Sequence, residues 1–250
     1  MAKMTADNND IRSRIHKISE TSVQPKVLVY ANAGVGKSYL LATAPKALIL
    51  LTEPEVSRPT LKLVKRTYGV DFDTIDIMSW DDFGDAYAYL YSGNHTYSTV
   101  CIDSLTDLVR RLIEHVLGLA TAKRATHDPD ILEMGDWNKV IEKLRQAVRA
   151  YRDLPMAVVM SALVLDIRSE MLKVPMVQPK NFALELPAYF NTVGYLGIDV
   201  NDEGETVRKL LLSPTDEYVA KNPGGALPDV VVNPNLAEMF PWIQAALEDK

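Results

Sequence analysis

Short apolar runs alternate with helical patterns along the chain as far as residue 160. Four runs are almost continuously apolar, and one alternates apolar and polar residues. Continuous apolar strands separated by helices are typical of a parallel sheet that is covered on both faces. The predicted strands are 26–30 (KVLVY), 47–51 (ALILL), 74–78 (TIDIM), 99–102 (TVCI) and 157–160 (AVVM).

Two long helices are predicted between the fourth and fifth strands. From Leu105 onward, apolar residues recur at offsets of 3, 4, 7, 8, 11 and 12, which is a single stripe along an α-helix. Ser104, followed three residues later by Asp107, resembles a capping box at the start of this helix. The second helix carries its apolar stripe over residues 137–151.

Beyond residue 160 the pattern changes to pairs of short strands joined by turns. Turn residues at 201–204 separate two of these strands and indicate a hairpin. The fold class is therefore α/β, with a mainly parallel central sheet, helices on both faces and antiparallel strands extending the C-terminal part. The predicted hairpin arms are 162–168 with 171–174, and 192–200 with 206–212.

The domain organisation follows from the absence of any linker-like change in composition and of any internal repeat. Residues 1–24 are polar and mixed in charge, and we expect an N-terminal arm there. Residues 25–250 are expected to form a single domain. Its last helix is predicted over 234–248, with Pro234 and Pro241 at helix starts.

Composition narrows the possible classes of protein. The 250 residues are 47% hydrophobic and 24% charged, which excludes disorder or a coiled coil as a description of the whole chain. The net charge of −6 argues against coating nucleic acid by bulk charge. Cys101 is the single cysteine, so no internal disulfide is possible and a reducing compartment is expected. The sequence also has no apolar run typical of a secretory signal or a membrane span. We therefore expect a cytoplasmic protein without membrane contact.

The strongest motif is a phosphate-binding loop after the first strand. It matches the pattern G-x-x-x-x-G-K-[ST], except that Ala31 replaces the first glycine, which is costly if the backbone there has a positive φ. Gly34 and Gly36 let backbone N–H groups approach phosphate oxygens at a helix start. Lys37 would neutralise the β- and γ-phosphates of ATP, and the Ser38 hydroxyl would ligate Mg²⁺. The predicted nucleotide-contacting residues are Ala31, Asn32, Ala33, Gly34, Val35, Gly36, Lys37, Ser38 and Tyr39.

Two acidic residues complete the predicted chemistry. Asp103 follows the TVCI strand, where a P-loop NTPase places the carboxylate that holds Mg²⁺ together with the loop hydroxyl. Hydrolysis also needs a group that orients or deprotonates water. Glu53 stands just after the ALILL strand, and we favour it over Glu55 because it lies nearer the end of the strand.

Together these residues resemble the phage-encoded RecA-like P-loop ATPases of the single-strand annealing (Sak) group, which are also labelled phage nucleotide-binding proteins or AAA-family ATPases. The resemblance extends over residues 25–232 and includes VLVYANAGVGKS and STVCIDSLTDL. The segments LPAYFNTVGYL and YVAKNPGGALPDVV point to this particular group.

The resemblance implies a RecA-like core and further site residues. It assigns Ser161 as a sensor of the γ-phosphate and Glu53 as the catalytic glutamate. Lys221 would reach the nucleotide of a neighbouring subunit in a homo-oligomeric ring or filament. Asn222 and Pro223 stand where an acidic–basic pair is expected, so a second cation acting in trans is not indicated.

The resemblance also implies a DNA ligand. It suggests single-stranded DNA, annealing or strand exchange in phage recombination, and a single-strand-binding protein as a further partner. The corresponding loops, 118–135 and 164–180, lack an obvious stacking aromatic side chain. Their candidate DNA-contacting residues are Lys123, Arg124, Arg168, Lys173 and Lys180.

Three other functions remain open. One is a nucleotide-binding regulatory or loader protein with little hydrolysis and no direct DNA role. Another is a small-molecule kinase, although the nearest arginine cluster, Arg145, Arg149 and Arg152, lies on a helical pattern typical of a solvated face. The third is a motor acting on duplex DNA or on a protein.

Overall fold

The computed structural model describes residues 15, 17, 23–70, 72–124, 126–225 and 227–247. Most of the predicted N-terminal arm, residues 1–24, lies outside these ranges. That arm and the single domain over residues 25–250 therefore stay predictions.

In the described part of the chain, nine strands form one sheet. The strands are β1 Lys26–Ala31, β2 Ala47–Leu51, β3 Asp73–Asp76, β4 Thr99–Asp103, β5 Ala157–Ile167, β6 Leu172–Pro175, β7 Thr192–Val200, β8 Thr206–Leu211 and β9 Val230–Val232. Their order is β3-β2-β4-β5-β1-β7-β8-β9, with β6 paired to β5. Pairing is parallel from β3 to β7 and antiparallel for β7–β8, β8–β9 and β5–β6.

Helices cover both faces of this sheet. They are α1 Lys37–Leu41, α2 Pro54–Tyr68, α3 Trp80–Tyr91, α4 Leu105–Lys123, α5 Met134–Arg152, α6 Lys180–Glu185 and α7 Leu236–Leu247. Successive strand residues face opposite sides of the sheet. In β1, Leu28 and Tyr30 join the core formed with α3, α4, α5 and α6, whereas Val27 and Val29 join the core formed with α1, α2 and α7.

The predicted fold class is thus confirmed. The central strands are continuous apolar runs because each of their faces packs under a layer of helices. The hairpin of β7 and β8 is also present, although β7 itself runs parallel to β1 and the antiparallel extension begins at β8.

The predicted hairpin of 162–168 with 171–174 is present, because the second half of β5 pairs antiparallel with β6, and its first arm is continuous with the predicted strand 157–160. Two other local predictions were wrong. Pro241 lies inside α7 and does not start a helix. Ser104 forms no capping box, because its Oγ donates to Asp107 Oδ2 at 3.3 Å instead of accepting from the Asp107 N–H, and its own N–H donates to Thr52 Oγ1 at 2.8 Å.

The strand order determines where the predicted site residues meet. β5 lies between β1, which leads into the phosphate loop, and β4, which ends at Asp103. β2 runs parallel beside β4 and leads to Glu53. Since the carboxyl ends of parallel strands lie at one edge, the loop, Asp103 and Glu53 converge there.

Gly194 offers a test of the packing between β7 and the strand beside it. A Cβ added at Gly194 would lie 2.6 Å from Leu210 Cδ1 and 3.1 Å from Leu212 Cδ2, both in buried side chains. We expect Gly194→Ala to lower the free energy of unfolding by about 1–3 kcal/mol, because the surrounding core must shift. Equilibrium unfolding in urea measures this change.

The matched control is Gly197→Ala in the same strand. A Cβ there meets its nearest neighbour, in the Tyr195 ring, at 3.4 Å, which is an ordinary contact. A change within about 0.5 kcal/mol is expected. Equal destabilisation by both substitutions would contradict the packing argument.

Candidate functional site

The phosphate loop has left-handed backbone at both of its glycines. Gly34 has φ 78° and Gly36 has φ 115°. Ala31, where the motif expects a glycine, is the last residue of β1, pairs with Leu163 of β5 and has no positive φ. Alanine therefore carries no backbone strain at this position.

Lys37 supplies the loop's positive charge, since α1 is only five residues long and adds little helix dipole. Its Nζ donates to the carbonyl oxygens of Ala31 at 3.3 Å and Asn32 at 3.0 Å. Burial lowers the pKa of Lys37, and the nearby carboxylates of Asp103, Asp107 and Glu53 act in the opposite direction. The ammonium group is thus held folded against its own loop.

Asp103 lies at the centre of a hydroxyl cluster. The Ser38 and Ser57 hydroxyls donate to its Oδ2 at 2.7 and 2.9 Å, and the Ser161 hydroxyl donates to Oδ1 at 2.9 Å. The side chains of Asp103 and Ser161 are buried. One carboxylate therefore joins α1, α2, β4 and β5.

Glu53 and Glu55 are placed differently. Glu53 precedes α2 and borders the cavity beside the phosphate loop. The preceding residue, Thr52, is fixed by its N–H, which donates to the Asp103 backbone oxygen at 2.9 Å. Glu55 has a side chain that is 88% exposed and an ion pair with Arg58 at 2.8 Å. Only Glu53 of the two borders the cavity.

Asp107 is a site residue that the sequence analysis read only as a helix cap. Its hydrogen bond with Glu53 raises the pKa of Glu53 to about 7, with partial burial and the charges of Asp107 and Asp103 adding to the effect and Arg110 opposing it. Arg110 Nη1 binds Asp107 Oδ1 at 2.9 Å. The available signal was its position four residues after Asp103, one turn into the following helix.

The cavity has a volume of about 660 Å³ and lies between the phosphate loop and one side of α2. The residues of α2 that border it run from Val56 to Tyr68, a distance of about 18 Å along the helix. Acidic groups lie near the Glu53 end, and the rings of Tyr39 and Tyr68 meet at the other, 5.5 Å apart. A nucleotide has the same polarity, with charged phosphates at one end and an aromatic base at the other. The lining residues of α2 are Val56, Ser57, Thr60, Leu63, Val64, Thr67 and Tyr68.

Lys221 lies away from its own phosphate loop. It pairs with Val193 near the start of β7, and its Nζ donates to the Phe190 backbone oxygen at 2.8 Å. Because β7 is parallel to β1, the start of β7 lies toward the sheet edge opposite the loop. A role for Lys221 at a neighbouring subunit's nucleotide stays a proposal.

Three of the five candidate DNA-contacting residues are paired with acids of the same chain. Arg124 binds Glu133 at 2.7 Å. Lys180 binds Glu170 at 2.7 Å, and Lys173 pairs with Glu217. Their charge is therefore largely offset within the chain. The other two candidates are Lys123, the last residue of α4, and Arg168, which opens the turn between β5 and β6.

The three arginines of the α5 cluster contact other side chains of the protein, outside the cavity. Arg145 binds Glu185 of α6 at 2.6 Å. Arg149 and Arg152 lie over the Tyr189 ring, at 5.3 and 5.9 Å from its centroid. These contacts tie α5 to α6 and its continuation, so these three arginines do not form a lid of the kind that a small-molecule kinase uses.

His127, Glu133 and Asp136 come together in a way the sequence analysis did not foresee. The atoms they offer lie within 4.8 Å of one another, as metal ligands would. However, the His127 ring faces acceptors on both sides, with Nδ1 2.8 Å from the Asp128 carbonyl and Nε2 2.7 Å from Asp136 Oδ2. Both nitrogens therefore donate, and the contact with Asp136 raises the pKa of His127. A ring protonated on both nitrogens has no lone pair for a metal.

A family model described as an AAA domain matches residues 24–223. Among solved structures, the chain is similar to an uncharacterised protein from Pyrococcus horikoshii in complex with an unknown peptide, at 11% identity and a TM-score of 0.41, over 77% of this chain and 84% of that one. No curated protein matches the chain.

No helix in the described ranges has both the length and the apolar character needed to cross a membrane. The family match covers the phosphate loop, Glu53, Asp103 and Ser161. The chain therefore belongs to the AAA-domain family of P-loop ATPases.

Proposed function

We propose that the protein binds ATP with Mg²⁺ and hydrolyses it in the cavity between the phosphate loop and α2. The observation that carries this proposal is the cluster around Asp103. Its carboxylate accepts hydrogen bonds from the loop residue Ser38 and from Ser161, beside the Lys37 ammonium and the Glu53 carboxyl. P-loop NTPases need these groups together for phosphoryl transfer to water.

The residues present fit a magnesium ion. The Ser38 hydroxyl and the Asp103 carboxylate, only 2.7 Å apart, are the hard oxygen donors that Mg²⁺ prefers. These two residues would hold the ion. When bound, it would neutralise charge on the β- and γ-phosphate oxygens.

The protein's own groups divide the remaining work. Lys37 would leave the carbonyl oxygens of Ala31 and Asn32 and bind phosphate oxygens. Glu53 would orient the attacking water and accept its proton. Ser161 would report the state of the γ-phosphate, because its hydroxyl binds Asp103 directly.

The second part of the proposal is that ATP turnover serves single-stranded DNA, in annealing or strand exchange during phage recombination. Support comes from the resemblance of segments 186–196 and 218–231 to the Sak-type ATPases. In this reading the protein acts as a ring or filament in which Lys221 reaches a neighbour's nucleotide, with a single-strand-binding protein as a further partner.

One observation favours a second candidate, a nucleotide-dependent regulatory or loader protein without a direct DNA role. The surface around the β5–β6 turn carries Arg168 and Lys173 but has more acids than bases. A polyanion is repelled by such a surface unless the ion pairs open. The acidic residues there are Asp166, Glu170, Asp216 and Glu217.

ATP turnover measured with single-stranded and duplex DNA separates these functions. We expect Mg²⁺-dependent turnover that single-stranded DNA stimulates more than duplex DNA, and none in Lys37→Ala, which loses the loop's cation. Turnover that neither DNA changes would favour the regulatory function.

Replacing Arg168, Lys173 and Lys180 by Ala should flatten the salt dependence of DNA binding by about two to three phosphate contacts. An unaltered slope removes this stretch from the DNA site.

Glu53→Gln is expected to keep ATP affinity and lose turnover, because an amide cannot accept the proton from water. Single-turnover hydrolysis and a nucleotide titration measure the two effects separately. Glu55→Gln is the matched control, since Glu55 points to Arg58 outside the cavity. A dead Glu55→Gln beside an active Glu53→Gln would show that the base has been wrongly assigned.

The pH dependence of kcat/KM is expected to follow Glu53 in the free enzyme. Its pKa is raised to about 7, so below that pH the carboxyl is protonated and cannot act as a base. The value of kcat/KM should therefore rise through about pH 7 and level off above it. Asp107→Asn should move the inflection to lower pH, because the largest cause of the raised pKa is removed. An inflection that stays in place in Asp107→Asn would contradict this assignment.

A further inference from the structure

Arg208 of β8 contacts the phosphate loop from a part of the chain where no site residue was predicted. Its Nε donates to the Val35 carbonyl oxygen at 2.9 Å. The guanidinium carbon lies 4.7 Å from the centroid of the Tyr39 ring, close enough for a cation–π contact. The first contact is with the loop that joins β1 to α1, and the second is with α1 itself.

The hydrogen bond to Val35 controls the direction of the next N–H group. The peptide bond between Val35 and Gly36 is trans, so its C=O and N–H point in opposite directions. With the carbonyl turned to Arg208, the Gly36 N–H is turned to the other side. Backbone N–H groups are what a phosphate loop offers to its ligand.

Gly36 and Arg208 also fit one another sterically. A Cβ on residue 36 would lie 2.4 Å from Arg208 Nε. Glycine at this position thus allows the positive φ and also leaves room for the guanidinium. The side chain of Arg208 fills the space that any other residue 36 would occupy.

Asn233 holds the strand position of Arg208. The Asn233 side-chain oxygen accepts from the Arg208 N–H at 3.1 Å, and the Asn233 N–H donates to the Arg208 carbonyl at 2.7 Å. Three residues later, the Leu236 N–H donates to Thr43 Oγ1, just beyond the end of α1, at 2.9 Å. The segment from Asn233 into α7 therefore supports the phosphate loop through its hydrogen bonds to Arg208. It also supports the C-terminal end of α1 through the hydrogen bond to Thr43.

We propose that Arg208 is a positioning residue for nucleotide binding: it fixes the Val35–Gly36 peptide, and Asn233 links this fixation to the C-terminal segment. The inference rests on the proposed nucleotide site. A helix of five residues gives the loop little support of its own. Arg208 supplies that support, so nucleotide phosphates meet N–H groups that are already oriented.

The test uses Arg208→Met, which keeps an unbranched side chain against Tyr39 but has no donor. We expect ATP and ADP to bind about ten- to a hundredfold more weakly, as loss of a hydrogen bond from a charged group predicts. KM should rise while kcat changes far less, because the proton transfer by Glu53 is untouched. Nucleotide titration, steady-state kinetics and urea unfolding without nucleotide measure affinity, turnover and folding separately.

Lys209→Met is the matched control. Lys209 is the next residue of β8, and its Nζ pairs with Asp199 at 2.6 Å, away from the loop. This variant removes the same charge from the same strand and should bind nucleotide as the unchanged protein does. An equal loss of affinity in Lys209→Met would overturn the positional argument in favour of bulk charge.

Two further variants test the geometry of the Arg208 side chain and its support by Asn233. Arg208→Lys retains the charge but has neither Nε nor a planar group. Full nucleotide affinity in this variant would overturn the proposal. This test remains available if Arg208→Met does not fold. Asn233→Gly keeps the positive φ of 47° and removes the side-chain acceptor. It should weaken binding less than Arg208→Met, and unchanged binding would overturn the link to the C-terminal segment. If the unchanged protein binds no nucleotide, the proposed function itself fails.

Discussion

Asp103 accepts hydrogen bonds from hydroxyl groups on three other elements, and the arrangement of the cavity depends on them. A buried carboxylate that lacks partners costs several kcal/mol, whereas here Ser38, Ser57 and Ser161 satisfy both oxygens. The same contacts place the start of α1, the first turn of α2 and the middle of β5 around one point. Glu53 reaches the cavity because it stands one turn before Ser57.

The parts of this arrangement that were predictable are local in the sequence. The strands are continuous apolar runs because helices cover both of their faces, and the phosphate loop is a contiguous motif. Glu53 and Asp103 could be selected because Asp103 is the last residue of a strand and Glu53 stands two residues beyond the end of another. Parallel strands bring such positions to one edge whatever the detailed packing.

The parts that were missed depend on contacts between distant segments. Arg208 lies 173 residues from Val35 in the chain, and only the pairing of β8 with β7 brings it to the loop. Likewise, Lys173 forms an ion pair with Glu217, 44 residues away in the chain. The folded protein thereby offsets the positive charge that made Lys173 a candidate for binding DNA. Neither residue type nor local spacing carries such information.

Both borders of the sheet are formed by very short strands. β9 has three residues, and β3 has four, of which Asp73 and Asp76 are charged. Strands of three or four residues offer little backbone for another strand to pair with, and the charges on β3 oppose pairing further, which is how natural sheets avoid uncontrolled aggregation. A nine-stranded sheet in this protein is therefore protected against growth from strand to strand. Assembly into a ring or filament would have to use side-chain surfaces that close on a defined neighbour.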